Sequence, residues 1–91
     1  MTEYLARAIR DTQNSVHRLN ACFCLSKISF NDSSIDKLTD YAEDIRSRLL
    51  EDQNFAAYFK ETVIKTINNI PFQKDEMKDR IATLTTKLYG S

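Results

Sequence analysis

Ninety-one residues make one domain, 1–91, with a modest core, and thirteen Lys plus Arg balance thirteen Asp plus Glu. A net charge of zero builds in no overall attraction to DNA, RNA or anionic lipid, which argues against a general polyanion binder. One glycine and one proline are too few for the tight turns of an antiparallel sheet, so the chain reads as helical throughout.

The first predicted helix runs over 2–29 with Thr2 as its N-cap. Leu5, Ile9, Thr12, Val16, Leu19 and Phe23 are spaced four, three, four, three, four, an a/d seam with one polar member. From Ala21 onward the seam dissolves. At about 100° per residue, Cys22, Phe23, Cys24, Leu25 and Ile28 point all around the axis, the pattern of a helix end enclosed by neighbours.

Phe30 to Ser34 reads as a turn, with Asp32 or Ser33 capping a second helix over 34–52 whose seam is Ile35, Leu38, Ala42, Ile45 and Leu49. Glu51 to Asn54 is a weaker break with Asn54 as candidate cap. A third helix over 55–69 carries the widest apolar face, Phe55, Ala56, Phe59, Val63, Ile67 and Ile70, and is the expected centre of the fold. Ile70-Pro71 ends it, because a residue before proline avoids helical dihedrals. The last helix, 73–89, presents Met77, Ile81, Leu84 and Leu88 and closes on Gly90 as a left-handed cap. The expected fold is an all-α, antiparallel four-helix bundle with a long N-terminal helix.

At about 1.5 Å per residue the first helix would be about 40 Å long against about 22–29 Å for the others. Its N-terminal seam would then lack an intrachain neighbour and call for a second protomer or another protein. A break near Asn20 would remove that need.

Residues 1–29 sum to +2 and residues 30–54 to −4, so these segments should attract one another or select a partner of opposite charge. No apolar run approaches the roughly 18 residues that span a bilayer, and Met-Thr-Glu-Tyr-Leu-Ala-Arg lacks the blocks of a secretion signal. A cytoplasmic protein is expected, consistent with thiols left unpaired.

The Cys22-x-Cys24 pair invites a metal or redox reading, but helical i, i+2 spacing turns the two sulfurs about 200° apart and supplies two of the four ligands a zinc site needs. Buried apolar filling is the expectation for both. The single His17, on a polar face, has no nucleophile and carboxylate arranged around it. Asp36, Asp40, Glu43 and Asp44 read as a hydrated helix face. The lone glycine is penultimate, so no phosphate-cradling loop exists. Neither a cofactor, a metal, a small-molecule substrate nor an enzymatic activity is expected.

What remains is a non-enzymatic protein-binding module, an inhibitor, adaptor, regulatory subunit or chaperone-like protein, acting by helix packing on a partner protein or in a homodimer. Its expected contacts are Leu5, Ile9, Val16, Cys22 and Leu25 of the first helix, with Tyr41, beside its seam, and Tyr58, well outside the apolar face of its helix, as aromatic anchors. The alternative is a nucleic-acid-binding regulator tracking phosphates with Arg7, Arg10 and Arg18, a stripe interrupted by Asp11 and without interleaved aromatics.

Overall fold

The break that reorganises the N-terminal third falls at Thr12-Gln13-Asn14. In the computed structural model, which describes residues 1–90, the expected 2–29 helix is two helices, α1 (Thr2–Asp11) and α2 (Ser15–Ser26). Thr12 is extended, at φ −70° and ψ 139°, and the Asn14 side chain accepts from the backbone N–H groups of Val16 and His17 at 2.9 and 3.2 Å. Asn14 is thus the N-cap of α2, satisfying two of the donors a new helix leaves orphaned. The consequence is visible in the dimensions: the longest extent of the whole Cα trace is 37 Å, less than the continuous first helix alone would need.

The remaining elements are α3 (Asp32–Asp40), α4 (Ala42–Glu51), α5 (Gln53–Phe59), a π-helical turn (Lys60–Ile64), α6 (Lys65–Asn68) and α7 (Asp75–Tyr89). No strand occurs among the described residues, and the fold is an all-α bundle. Asn31, not Asp32 or Ser33, caps α3, through a reciprocal capping box with Ser34. Tyr41, at φ −104° and ψ 5°, separates α3 from α4 inside the expected second helix. Asp52 rather than Asn54 caps α5, its Oδ1 accepting from the Phe55 N–H at 3.0 Å. From Gln53 to Asn68 the chain is one rod with a wide turn at Lys60–Ile64. There Thr62 donates back to the Tyr58 carbonyl within the β-branched run Thr62-Val63-Ile64, a combination that strains regular α-helical bonding. Gly90 ends α7 at φ +81° but ψ 176°, a region open only to glycine and distinct from the left-handed helical cap expected there.

α1 packs on α2, α3 and α4; α7 covers α3 and α4; and the rod lies against α2 and α4, so the centre is shared rather than held by the third expected helix. The core joins Leu5 and Ile9 of α1 to Ile35, Leu38, Ile45, Phe55, Phe59, Val63, Ile67, Leu84 and Leu88. Phe55 and Phe59 tilt against each other with ring centroids 5.5 Å apart, a favourable aromatic geometry. The attraction between the basic N-terminal and acidic middle segments is realised as ion pairs, Arg18–Asp52 at 2.8 Å and the looser Arg10–Asp44 at 3.9 Å.

Two guanidinium groups hold the break between α1 and α2 in place. Arg48 donates through Nε to the Arg10 carbonyl at 3.0 Å, and Arg18 donates to the Thr12 carbonyl at 2.9 Å. Both occupy the carbonyl end of α1, where positive charge is favoured. Arg18 also pairs with Asp52, and its side chain is only 7% exposed. Breaking a buried pair leaves its partner desolvated and unmatched, at about 3–5 kcal/mol, so Arg18→Ala should cost about 3 kcal/mol given the partial exposure of Asp52. Urea unfolding of the variant measures this; a loss below about 1 kcal/mol would show that the pair does not anchor the bend.

Candidate functional site

Once α1 and α2 are separate helices, the single seam drawn across them no longer exists. Leu5 and Ile9 remain inside, buried against the chain's own α3 and α4, and therefore offer nothing to a partner. α2 buries Arg18, Ala21, Cys22 and Leu25, spaced i, i+3, i+4, i+7. At about 100° per residue, Phe23 lies about 160° from Leu25, and Val16 about 160° from Arg18. The face carrying Val16 and Phe23 is consequently turned outward: Val16 is 63% exposed and Phe23 48% exposed. Of the expected contact residues of the first helix only Val16 is accessible. Cys22 and Leu25 are fully buried, and the C-terminal part of α2 is not enclosed on all sides.

The outward face of α2 has no charged residue on it. The helix Ser-Val-His-Arg-Leu-Asn-Ala-Cys-Phe-Cys-Leu-Ser contains one, Arg18, and that one is buried, whereas 29% of the whole chain is charged. Ser15, Val16, His17, Asn20, Phe23 and Cys24 are exposed, and Leu19 is half-buried beside them. Lys27, just past the helix, sets its ammonium 5.0 Å from the Phe23 ring centroid, within cation–π range. Along one side of this face runs a groove of about 530 Å³ between α1 and α2, lined by Tyr4, Leu5 and Ala8 on one wall and His17, Ala21 and Cys24 on the other. Tyr4, 71% exposed, stands at its edge.

The two cysteines diverge. Cys22 lies in the core with its Sγ 3.5 Å from the Thr62 hydroxyl on the π-helical turn, and desolvation pushes its pKa up to about 11 against the opposing pull of that hydroxyl. Such a thiol is neither nucleophile nor ready ligand near neutral pH. Cys24 is exposed, against the expectation that both would be buried filling, because it falls on the outward face. Among the described residues no three His, Cys, Asp or Glu side chains converge as a metal-ligand group.

The three arginines of the expected phosphate stripe do not share a surface. Arg18 is buried in its pair with Asp52. Arg10 engages Asp11 at 2.7 Å and stacks over Tyr41 at 5.4 Å from the ring centroid. Arg7 donates to Glu3 at 2.7 Å and to the Tyr41 hydroxyl at 2.9 Å. Tyr41, half-buried, therefore serves an internal network: its hydroxyl donates to Glu3 at 3.1 Å. Tyr58 is half-buried against the core and sits on the rod, away from α2's outer face. The hydrogen bond from Tyr41, followed by the charges of Arg7 and Lys37, holds the Glu3 carboxyl below its ordinary range.

A second feature lies at the opposite end of the sequence. Phe72 is fully exposed at φ +57°, an unfavourable region for a residue with a side chain, and lines a hollow of about 420 Å³ that shares Ile70 and Pro71 with a second of about 660 Å³. The sequence marks only the Ile70-Pro71 stop there. The uncharged α2 face was equally hidden by the assumption of one continuous seam, although the cap-forming run Thr12, Asn14, Ser15 was the local signal that could have exposed it.

No protein family, curated protein or solved structure matches the chain.

Two measurements probe this geometry. Titration with a thiol-reactive dye at pH 8 should label Cys24 quickly and Cys22 only after denaturation; rapid labelling of both would contradict the burial of Cys22. For Glu3, a depressed pKa means stability that is present above the ordinary carboxylate range and lost as pH falls through the folded value. Tyr41→Phe should raise the Glu3 titration seen by carboxyl-carbon NMR, and an unmoved midpoint would remove the tyrosine as its main cause.

Proposed function

We propose that this chain is a non-enzymatic protein-binding module and that its contact surface is the outward face of α2. The observation that carries the reading is the absence of any charged residue on that exposed face in a protein otherwise rich in charge. Surface helices ordinarily pay for their hydration with Lys, Glu, Asp and Arg, and depletion of charge around exposed aromatic and branched residues is the compositional mark of an interface core. Val16 and Phe23 supply the apolar contacts, Asn20 and His17 polar ones, and Tyr4 an amphipathic anchor at the groove edge. An inhibitor, adaptor or small regulatory subunit would use such a face by packing it on a partner helix or groove.

Two free thiols, one of them exposed, fit a reducing cytoplasmic setting. No helix is long and apolar enough to cross a membrane among the described residues. The nucleic-acid alternative is left with Arg7 and Arg10, both engaged by carboxylates, which gives it less support than the α2 face gives protein binding.

Phe23→Glu tests the reading. The new carboxylate sits four residues before Lys27, a favourable helical pairing, so folding stability should change by no more than about 0.5 kcal/mol. Protein association recovered with the wild-type chain, whether with itself or with another protein, should fall at least tenfold. Association that persists unchanged in a folded Phe23→Glu protein would refute the assignment of this face.

A further inference from the structure

We infer that the outward face of α2 pairs with the same face of a second copy of this chain, antiparallel, about a twofold axis passing at Asn20. The inference rests on the proposal that this face is a contact surface, and it names the occupant.

Val16, Asn20, Phe23 and Lys27 follow one another at four, three and four residues, a second a/d-type seam pointing to solvent instead of to the core. A seam of this kind is complementary to a second helix, and a twofold axis makes the two contacting patches identical. With the axis at Asn20, Val16 of each copy meets the region of Phe23 in the other, a small branched side chain against a large flat one. The two Asn20 amides face each other on the axis. An amide carries both donors and an acceptor, so it can bond its own copy, and a single asparagine in such a seam fixes register.

Self-pairing fails wherever ionised groups meet their own kind, and between Ser15 and Ser26 this face presents none. At its ends the pairing is complementary. Lys27 lies seven residues, about 10.5 Å, beyond the axis and therefore lands over the region of residue 13 in the second copy. That is the bend after α1, where Asp11 lines the same groove as Asn20 and keeps its side chain 63% exposed while pairing with Arg10. A lysine is thus carried toward a carboxylate at both ends of the contact. His17 and the Cys24 thiol are the other titratable groups on the face, and His17 is brought toward the partner's Phe23 region, beside the ammonium that Lys27 sets over that ring.

The available area sets the strength of the pairing. A standard interface takes about 800 Å² from each partner, about one-seventh of the 5681 Å² surface. The α2 strip is about 18 Å long and, with Tyr4 beside it, covers less than that, so the dimer is weak and concentration-dependent.

The geometry gives a direct test. Helices packed at about 8–10 Å between axes, with Cα atoms about 2.3 Å from each axis, bring on-axis Cα atoms to about 3.5–5.5 Å, overlapping the range a disulfide accepts. In a Cys24→Ser background, Asn20→Cys should form a disulfide-linked dimer under mild oxidation at high micromolar concentration. Ser47→Cys in the same background, exposed on α4, should form at least tenfold less, and adding Phe23→Glu to the Asn20→Cys protein should abolish its cross-link. Light scattering of the wild type should show mass rising from monomer toward dimer with concentration. Cross-linking at Asn20→Cys no faster than at Ser47→Cys, or a wild-type chain that stays monomeric throughout, overturns the self-pairing. If such a monomer still binds a different protein in a Phe23-dependent way, the contact-surface reading stands and only the occupant is wrong; if it does not, both fall.

Discussion

The contact on which the arrangement of this protein depends is the Arg18 guanidinium. It reaches Asp52, which caps α5, and the Thr12 carbonyl, which ends α1, and it lies 5.9 Å from the ring centroid of Phe55 in the core. One side chain thereby ties the bend between α1 and α2 to the start of the rod. Its Nε is the one buried side-chain nitrogen or oxygen without a hydrogen-bond partner among the described residues. Burying a charge on these terms is costly unless it is matched, and the matching is what makes the bend specific: a different rotation of α2 would leave both the arginine and the aspartate unpaired.

That rotation determines the surface as well as the core. By drawing Arg18, Cys22 and Leu25 inward, it turns Val16, Asn20 and Phe23 outward. Cys22 then meets Thr62 on the widened turn of the rod, where its thiol is held protonated and inert, while Cys24 remains in solvent. The face proposed to bind a partner is thus the geometric complement of the buried arginine. The helix lacks exposed charge because its only charged residue has been spent on holding the bend.

Much of the local structure was readable. The stop at Ile70-Pro71, the boundary near Asp52, the seams Ile35–Leu38–Ala42–Ile45–Leu49 and Ile81–Leu84–Leu88, and the all-α character all appear in the structure, because each rests on short-range spacing or on a dihedral constraint. The expected continuous first helix does not form, for a physical reason. A four-three repeat from Leu5 to Phe23 is compatible with one rod, and only the competition between continuing the helix and the Asn14 cap, backed by Arg18 and Arg48 on the freed carbonyls, breaks it. Arg48 reaches the bend from thirty-eight positions away, and Arg18, though local to it, is held there by Asp52 thirty-four positions away, separations that no local window connects. With the bend in place, Leu5, Ile9, Cys22 and Leu25 are covered by the chain itself and not by a partner.

The sequence by itself determined that the chain is helical, where its apolar residues repeat and that its cysteines cannot share a ligand within a helix, since these follow from composition and from 100° per residue. Only the tertiary structure decided which face of α2 is inside. Both of its faces carry apolar residues, so periodicity leaves them equivalent, and the choice is made by a long-range pairing of one arginine with one aspartate thirty-four positions away.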